Sequence, residues 1–462
     1  TAEDNANYTV FHEASKNYLC DRQRLYSAQA AAKVEEHVTA LPKQSPQLTK
    51  LPNGTMVASL ENYSPVSRVA VAINAGPRFE TGPNIGMSHC LRSIAEMSNQ
   101  ESSSFRITKN IQQFGGSFTC TSTRENMVYT LDCVRDNVDL GCELLSNITT
   151  QPKVRPWELS SVVPRQKLDL ALVADQPEVQ LIEALHEAAF KGGLDRSLYM
   201  PAFKLGSYTA AQVEEYMARY YTADRAAIVG VGVDHEHLLE LARSFKFPTT
   251  GAEKPAGAYS GGQRRVWSSN PFVHAAVVTE GASYTSKDAM PLFILQHIMG
   301  GSPRIKYSNN MATSKVMQAA AKATSGPFAG TCLNISYSDT GLFGFHVVAS
   351  SQDIGNVLRS VVAQYAEATK GGISDQDLAR AKVQAKASVA MEMENSECLL
   401  NEFAEQTLFL GSIHDYNSVA AAIDAVSLSE LQSVAKKVIN GKPTFAAVGD
   451  LTNTPHLEDI MK

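Results

Sequence analysis

Short stretches in which apolar and polar residues alternate are followed along this chain by longer stretches with a helical repeat, and the two kinds recur in a set order. Leu51-Pro52-Asn53-Gly54-Thr55 lies between two alternating runs. Proline fixes φ at one corner and Asn-Gly tolerates positive φ at the next, so a hairpin is predicted. Arg68 to Gly76 alternates and predicts a strand, and a helix is expected to start near Gly86. After a helix-like run from Phe105 to Phe114, Gly115 to Thr123 and Asn126 to Val134 predict a second hairpin. Helices are expected around Asn137 to Asn147, Trp157 to Ala174 and Gln180 to Phe190, with Pro164 kinking or splitting the second.

The pattern then repeats. Ala226-Ala227-Ile228-Val229-Gly230, after a helix starting near Thr209, resembles Phe445-Ala446-Ala447-Val448-Gly449, after a helix starting near Ser427, at an offset of 219. Phe118 to Val134 matches Cys332 to Val348 at 214, and Val69 to Gly76 matches His274 to Gly281 at 205. Three ordered matches predict two copies of one unit. Residues 247–263 are rich in Gly, Pro and small polar residues and are read as the linker. The expected domains are an N-terminal extension at 1–47, a first domain at 48–246 and a second at 264–462. The element order predicts an α+β fold of two similar domains, each a mostly antiparallel sheet packed with helices. The extension, with a helix expected from Asp21 to Val38, starts at Thr1 rather than methionine, which hints at processing.

Composition narrows the classes of function. With 462 residues, 44% of them hydrophobic and 19% charged, the chain can bury real cores. A net charge of -6 lacks the basic excess expected of a nucleic-acid-binding protein. Seven dispersed cysteines with no Cys-x-x-Cys pair indicate neither a disulfide framework nor a thiolate zinc site. No apolar run reaches the roughly 18–20 residues of a membrane span.

The stretch carrying the most chemistry is Gly86-Met87-Ser88-His89-Cys90-Leu91-Arg92-Ser93. Inverted zinc-peptidase motifs, His-x-x-Glu-His, set two imidazoles on one helical face with a carboxylate to take the proton of the metal-bound water. Here His89 is present, Arg92 replaces the carboxylate and Ser93 replaces the second imidazole. A guanidinium is a fixed cation that accepts no proton at neutral pH. His89 is therefore expected to be an ordinary hydrogen-bonded histidine near a helix start.

Further runs carry a resemblance. Leu51-Pro52-Asn53-Gly54, Ser122 to Met127, Ser197-Leu198-Tyr199-Met200-Pro201 and Tyr337 to Phe345 are similar in order and spacing to the core protein 2 family of mitochondrial ubiquinol-cytochrome c reductase (respiratory complex III). That family is related to the processing peptidases and the pitrilysin-type zinc peptidases. The resemblance spans residues 48–462. It implies a bowl-shaped pair of α+β domains acting as a non-catalytic scaffold and assembly subunit on the matrix side of the mitochondrial inner membrane. The implied partners are the sister core protein 1, cytochrome b, cytochrome c1 and the Rieske protein in a dimeric complex, with no cofactor of its own, neither haem nor quinone. It also places the distal carboxylate of an active relative near Asp169, one methylene shorter than glutamate. His89, Arg92, Ser93 and Asp169 are thus expected to mark a degenerate motif, with no catalytic, cofactor-binding or metal-binding residue. The alternatives are the presequence-binding, non-catalytic subunit of a processing peptidase and, third, an active zinc metallopeptidase.

Other candidates have plainer readings. In Asp234-His235-Glu236-His237, Asp234 is expected to cap a helix rather than the histidines to bind metal. His186-Glu187 is expected to be a partly exposed pair, and His297 a packed helix histidine. Gly300-Gly301-Ser302, continued by Pro303-Arg304-Ile305-Lys306, has too few glycines for a long glycine-rich loop and is read as a helix exit.

Overall fold

The computed structural model describes residues 42, 44–249, 255–301, 314–367 and 372–460. The expected helix from Asp21 to Val38 and the segment after Gly301 fall outside them. From Ser45 to Lys462 the chain forms one compact unit.

The strands, in order, are β1 (Gln47–Lys50), β2 (Met56–Leu60), β3 (Val66–Ile73), β4 (Ser117–Ser122), β5 (Met127–Val134), β6 (Phe190–Lys191) and β7 (Ala226–Val231). The second half supplies β8 (Ala258–Tyr259), β9 (Gln263–Trp267), β10 (Phe272–Glu280), β11 (Phe328–Ser336), β12 (Gly341–Ser350) and β13 (Thr444–Gly449). One sheet has the order β1-β2-β7-β3-β5-β4 and the other β11-β12-β10-β13-β9. Reversed, the second matches β9-β13-β10-β12-β11 to β2-β7-β3-β5-β4 strand for strand. The parallel pairs, β2 with β7 and β9 with β13, also correspond. The two similar α+β domains are therefore visible in connectivity as well as in sequence.

Strand faces test the offsets of the repeat. Ile228 and Ala447, like Tyr129 and Phe343, point into the corresponding helix-covered cores at offsets of 219 and 214. For β3 and β10, an offset of 205 would exchange the faces. Val69, Val71 and Ile73 face one core, and their counterparts are Val273, Ala275 and Val277, an offset of 204. A one-residue slip inverts every side chain of a strand, so burial fixes what letter matching missed.

Each sheet has a second face, and the opposite half covers it. Helix Pro177–Ala189 lays Leu181, Ala184 and Leu185 on Ala276, Val278, Ala446 and Val448 of the second sheet. Reciprocally, helix Ser396–Phe409 lays Leu399, Leu400 and Phe403 on Ala70, Ala72, Ala227 and Val229 of the first sheet. Alanine-rich strand faces let these helices come close, and packing removes both sheet faces from water.

Two local expectations need correcting. Pro164 does not split its helix, which runs from Pro156 to Ala174. Its ring and Ser160 are exposed, so water reaches the carbonyl that lacks its helical partner. His186 is not partly exposed. It is buried on the face of helix Pro177–Ala189 that covers the second sheet, where its Nε2 accepts the hydroxyl proton of Tyr337 at 2.6 Å. Glu187, exposed, pairs with Arg264 at 3.2 Å. Within the stretch read as the linker, the described residues 255–263 include short strand segments. Ala258–Tyr259 pairs with Phe190–Lys191, and Gln263 opens β9.

Candidate functional site

Helix Met87–Ile94 starts without a side-chain cap, from Gly86 at φ 86°. A Cβ at Gly86 would lie 2.7 Å from Met200, so only glycine permits this approach. The first helical N–H groups are met by Glu80, whose carboxylate accepts from Gly86 N at 2.6 Å and Ser88 N at 2.8 Å. Burial lifts this carboxyl to about 7 against the lowering effect of those two bonds. Nothing in the sequence reading singled out Glu80. Its only signal is an acidic residue shortly before a helix that lacks a capping side chain.

His89, Arg92 and Ser93 follow on one helical face. His89 is fully buried. The amide of Met200 donates to Nδ1 at 3.3 Å, which requires a lone pair there. The ring proton therefore sits on Nε2 and points at Asp169 Oδ2, 3.2 Å away. Burial, and then the charge of Arg92, push the imidazole below its ordinary pKa, while Asp169 acts in the opposite sense. The structure thus brings Asp169 to His89 as the resemblance implied, but joins them by a hydrogen bond that uses the second ring nitrogen.

The neighbouring positions hold no metal-ligand chemistry. Ser93 Oγ donates to the His89 carbonyl one turn back at 2.8 Å. Arg92 Nη1 donates to Ser122 Oγ at 2.9 Å, and its guanidinium lies 5.4 Å from the ring centroid of Tyr199. That same ring meets His89 edge-on at 5.8 Å. A cavity of about 300 Å³ opens here, lined by Arg92, Ser93, Cys120, Arg165, Asp169, Leu172, Val173, Gln176 and Tyr199. Burial pushes the Cys120 thiol up to about 12, so it stays protonated and is no thiolate ligand. Among these, Arg165, Gln176, Cys120 and Tyr199 were missed as site residues, although Tyr199 lies in one of the runs that carried the resemblance.

A catalytic zinc takes three protein ligands and an open position for water. This donor set does not fit it. One imidazole has both nitrogens engaged, a hydroxyl stands where the second imidazole belongs, and two guanidiniums flank a single carboxylate. The chain, incubated with zinc and desalted, is expected to carry no stoichiometric metal by elemental analysis, and a molar equivalent retained would contradict this geometry.

The other candidates are structural. Asp234 accepts from the backbone N–H groups of Glu236 and His237 as a helix cap. His235 is held by the hydroxyls of Ser59 at 2.7 Å and Thr49 at 2.8 Å, and His237 by Asp139 at 2.7 Å. His297 packs edge-on against Phe293 at 4.9 Å. Gly300, at φ 67°, ends the helix Ala289–Met299; Ser302 to Lys306 lie outside the described residues.

Comparison with known proteins agrees with this geometry. Residues 56–202 match the family model described as Insulinase (Peptidase family M16), and residues 207–385 match the Peptidase M16 inactive domain. The Homo sapiens protein "Cytochrome b-c1 complex subunit 2, mitochondrial" is 38% identical over 446 residues, covering 95% of this chain and 98% of the relative. Its Rattus norvegicus counterpart is 37% identical over 443 residues, covering 95% and 98%. "Mitochondrial-processing peptidase subunit alpha" of Solanum tuberosum is 28% identical over 423 residues, covering 90% and 84%. Tandem matches over two like-ordered sheets, with relatives aligned almost end to end, show that the chain belongs to peptidase family M16.

Proposed function

We propose that this chain is a non-catalytic core subunit of the mitochondrial cytochrome b-c1 complex, which carries electrons from ubiquinol to cytochrome c. The observation that carries the reading is the 38% identity that extends over 98% of the subunit 2 relative. The lower identity to the processing-peptidase alpha subunit ranks that alternative second. The dismantled motif at His89, Arg92, Ser93 and Asp169 supports a scaffold role. No helix among the described residues is long and apolar enough to cross a membrane, which suits a peripheral subunit. Its partners in this reading are core protein 1, cytochrome b, cytochrome c1 and the Rieske protein, on the matrix side of the inner membrane, in a dimeric complex. The domains are 48–246 and 264–462, joined through 247–263 and preceded by an extension at 1–47.

Extraction in mild detergent followed by native electrophoresis tests this. The chain is expected to co-migrate with the b- and c-type cytochromes. Migration with a soluble peptidase instead, together with binding of a labelled basic presequence at micromolar concentration, would favour the processing-peptidase alternative.

A further inference from the structure

We propose that the cavity beside His89 is a binding site for a carboxylate carried on a short apolar group. The helix Pro156–Ala174 turns Arg165, Asp169, Leu172 and Val173 toward one side, and Gln176 follows it; all five line the cavity. Arg92 faces them from helix Met87–Ile94. The charged lining is therefore two guanidiniums and one carboxylate.

The two cations differ in how they are held. Arg92 is fixed by its bond to Ser122 and its position over Tyr199, leaving further N–H groups for a ligand. Arg165 stands one helical turn before Asp169 yet makes no ion pair or side-chain hydrogen bond with any described residue. Asp169 is already committed to His89 Nε2. The charge left over is close to one positive unit, which matches a monoanion. A phosphate dianion would overshoot it and meet Asp169 at close range. Guanidinium groups favour the paired oxygens of a carboxylate. Leu172, 52% exposed and part of the lining, and Leu168 one turn earlier, 59% exposed, give the ligand's carbon chain an apolar rim. The volume, about 300 Å³, is at the small end of ligand pockets. The carboxylate could come from a free small acid or from an acidic side chain of a peptide. The site stands on its own geometry whether or not the chain is a scaffold subunit.

Titration calorimetry on the full chain tests this with three probes: butyrate, a blocked tripeptide with a central glutamate alongside its glutamine counterpart, and inorganic phosphate. Binding of butyrate or of the glutamate peptide at about 1 mM or tighter is expected, with phosphate weaker than either. Which of the two binds identifies the source, and either supports the site. Arg165→Met, at an exposed position, should weaken binding about tenfold, and Arg92→Met by a similar factor. Asp169→Asn keeps the hydrogen bond to His89 and should tighten binding several-fold, the opposite of its effect on a cation site. No heat from either carboxylate at about 10 mM, phosphate binding more tightly, or affinity unchanged in Arg165→Met would overturn the proposal.

Discussion

Replacing Arg78 with alanine is expected to remove about 3–5 kcal/mol of stability, the cost of stranding one partner of a buried ion pair. The Arg78 side chain is fully buried where the two halves meet. Its Nη1 donates to Glu125 Oε1 at 2.7 Å and Asp339 Oδ1 at 2.8 Å, its Nη2 reaches Asp339 Oδ2, and Nε and Nη2 donate to the Pro255 carbonyl at 3.1 and 2.7 Å. One side chain therefore ties the first sheet's domain to the turn between β11 and β12 and to residues just before β8. Without it, Glu125, only 2% exposed, keeps the Ser338 amide and hydroxyl but loses its cation. Asp339, 34% exposed, can rehydrate, so Asp339→Asn should cost distinctly less. Urea denaturation of the three proteins measures the order. Equal midpoints for Arg78→Ala and the parent would show that the buried network contributes nothing.

Mild acid is expected to loosen the joint between the halves. His186 lies under Tyr337, and burial followed by the charge of Arg124 holds it well below its ordinary pKa. His346, on the strand face that helix Pro177–Ala189 covers, is lowered to about 4, first by burial and then by His274, whose ring stacks on it at 5.5 Å. Burial also lowers His274, opposed by Glu178. An unfolded histidine takes its proton near 6.5 and these take theirs lower. Their stabilisation is therefore complete above pH 6.5 and is lost as pH falls toward the folded values. For His346 the full span to pH 4 is on the order of 3 kcal/mol. Glu80 works the other way. Its folded pKa is raised to about 7, so its contribution is full below 4.5 and is lost as pH rises through 7. Asp132 and Glu405, also raised by burial, act in the same sense as Glu80, but the lowered histidines, which include His89, His235 and His297, outnumber these carboxyls, so the urea midpoint should drop between pH 7 and 5. His346→Gln should flatten that drop, and a midpoint that rose on acidification would refute the assignment.

How legible this was depended on the range of each signal. Hairpins, caps and the repeat are written in neighbouring residues. Leu51 to Thr55 joins β1 to β2 as expected, and Thr209, Asp234 and Ser427 cap the helices they were expected to open. His89, Arg92 and Ser93 were readable because helical spacing alone puts them on one face, and Asp169 because the resemblance supplied its distance along the chain. Tyr199, Arg165 and Gln176 reach the same cavity through tertiary packing, and no local pattern encodes that. The buried state of His186 was hidden for the same reason, since the hydroxyl that meets it belongs to Tyr337, 151 residues away. Glu80 was missed because its role depends on the absence of a cap elsewhere.

The exchange of covering helices also has a consequence in time. A chain delivered from its N-terminus completes the first sheet at Val231, but the helix that shields that sheet's second face ends only at Phe409. Until then a bare face of alanine and valine waits for a partner far away along the chain, and such distant closures form slowly. Folding of the first half therefore finishes only after most of the second half has arrived. The interval between is when a chaperone is needed most.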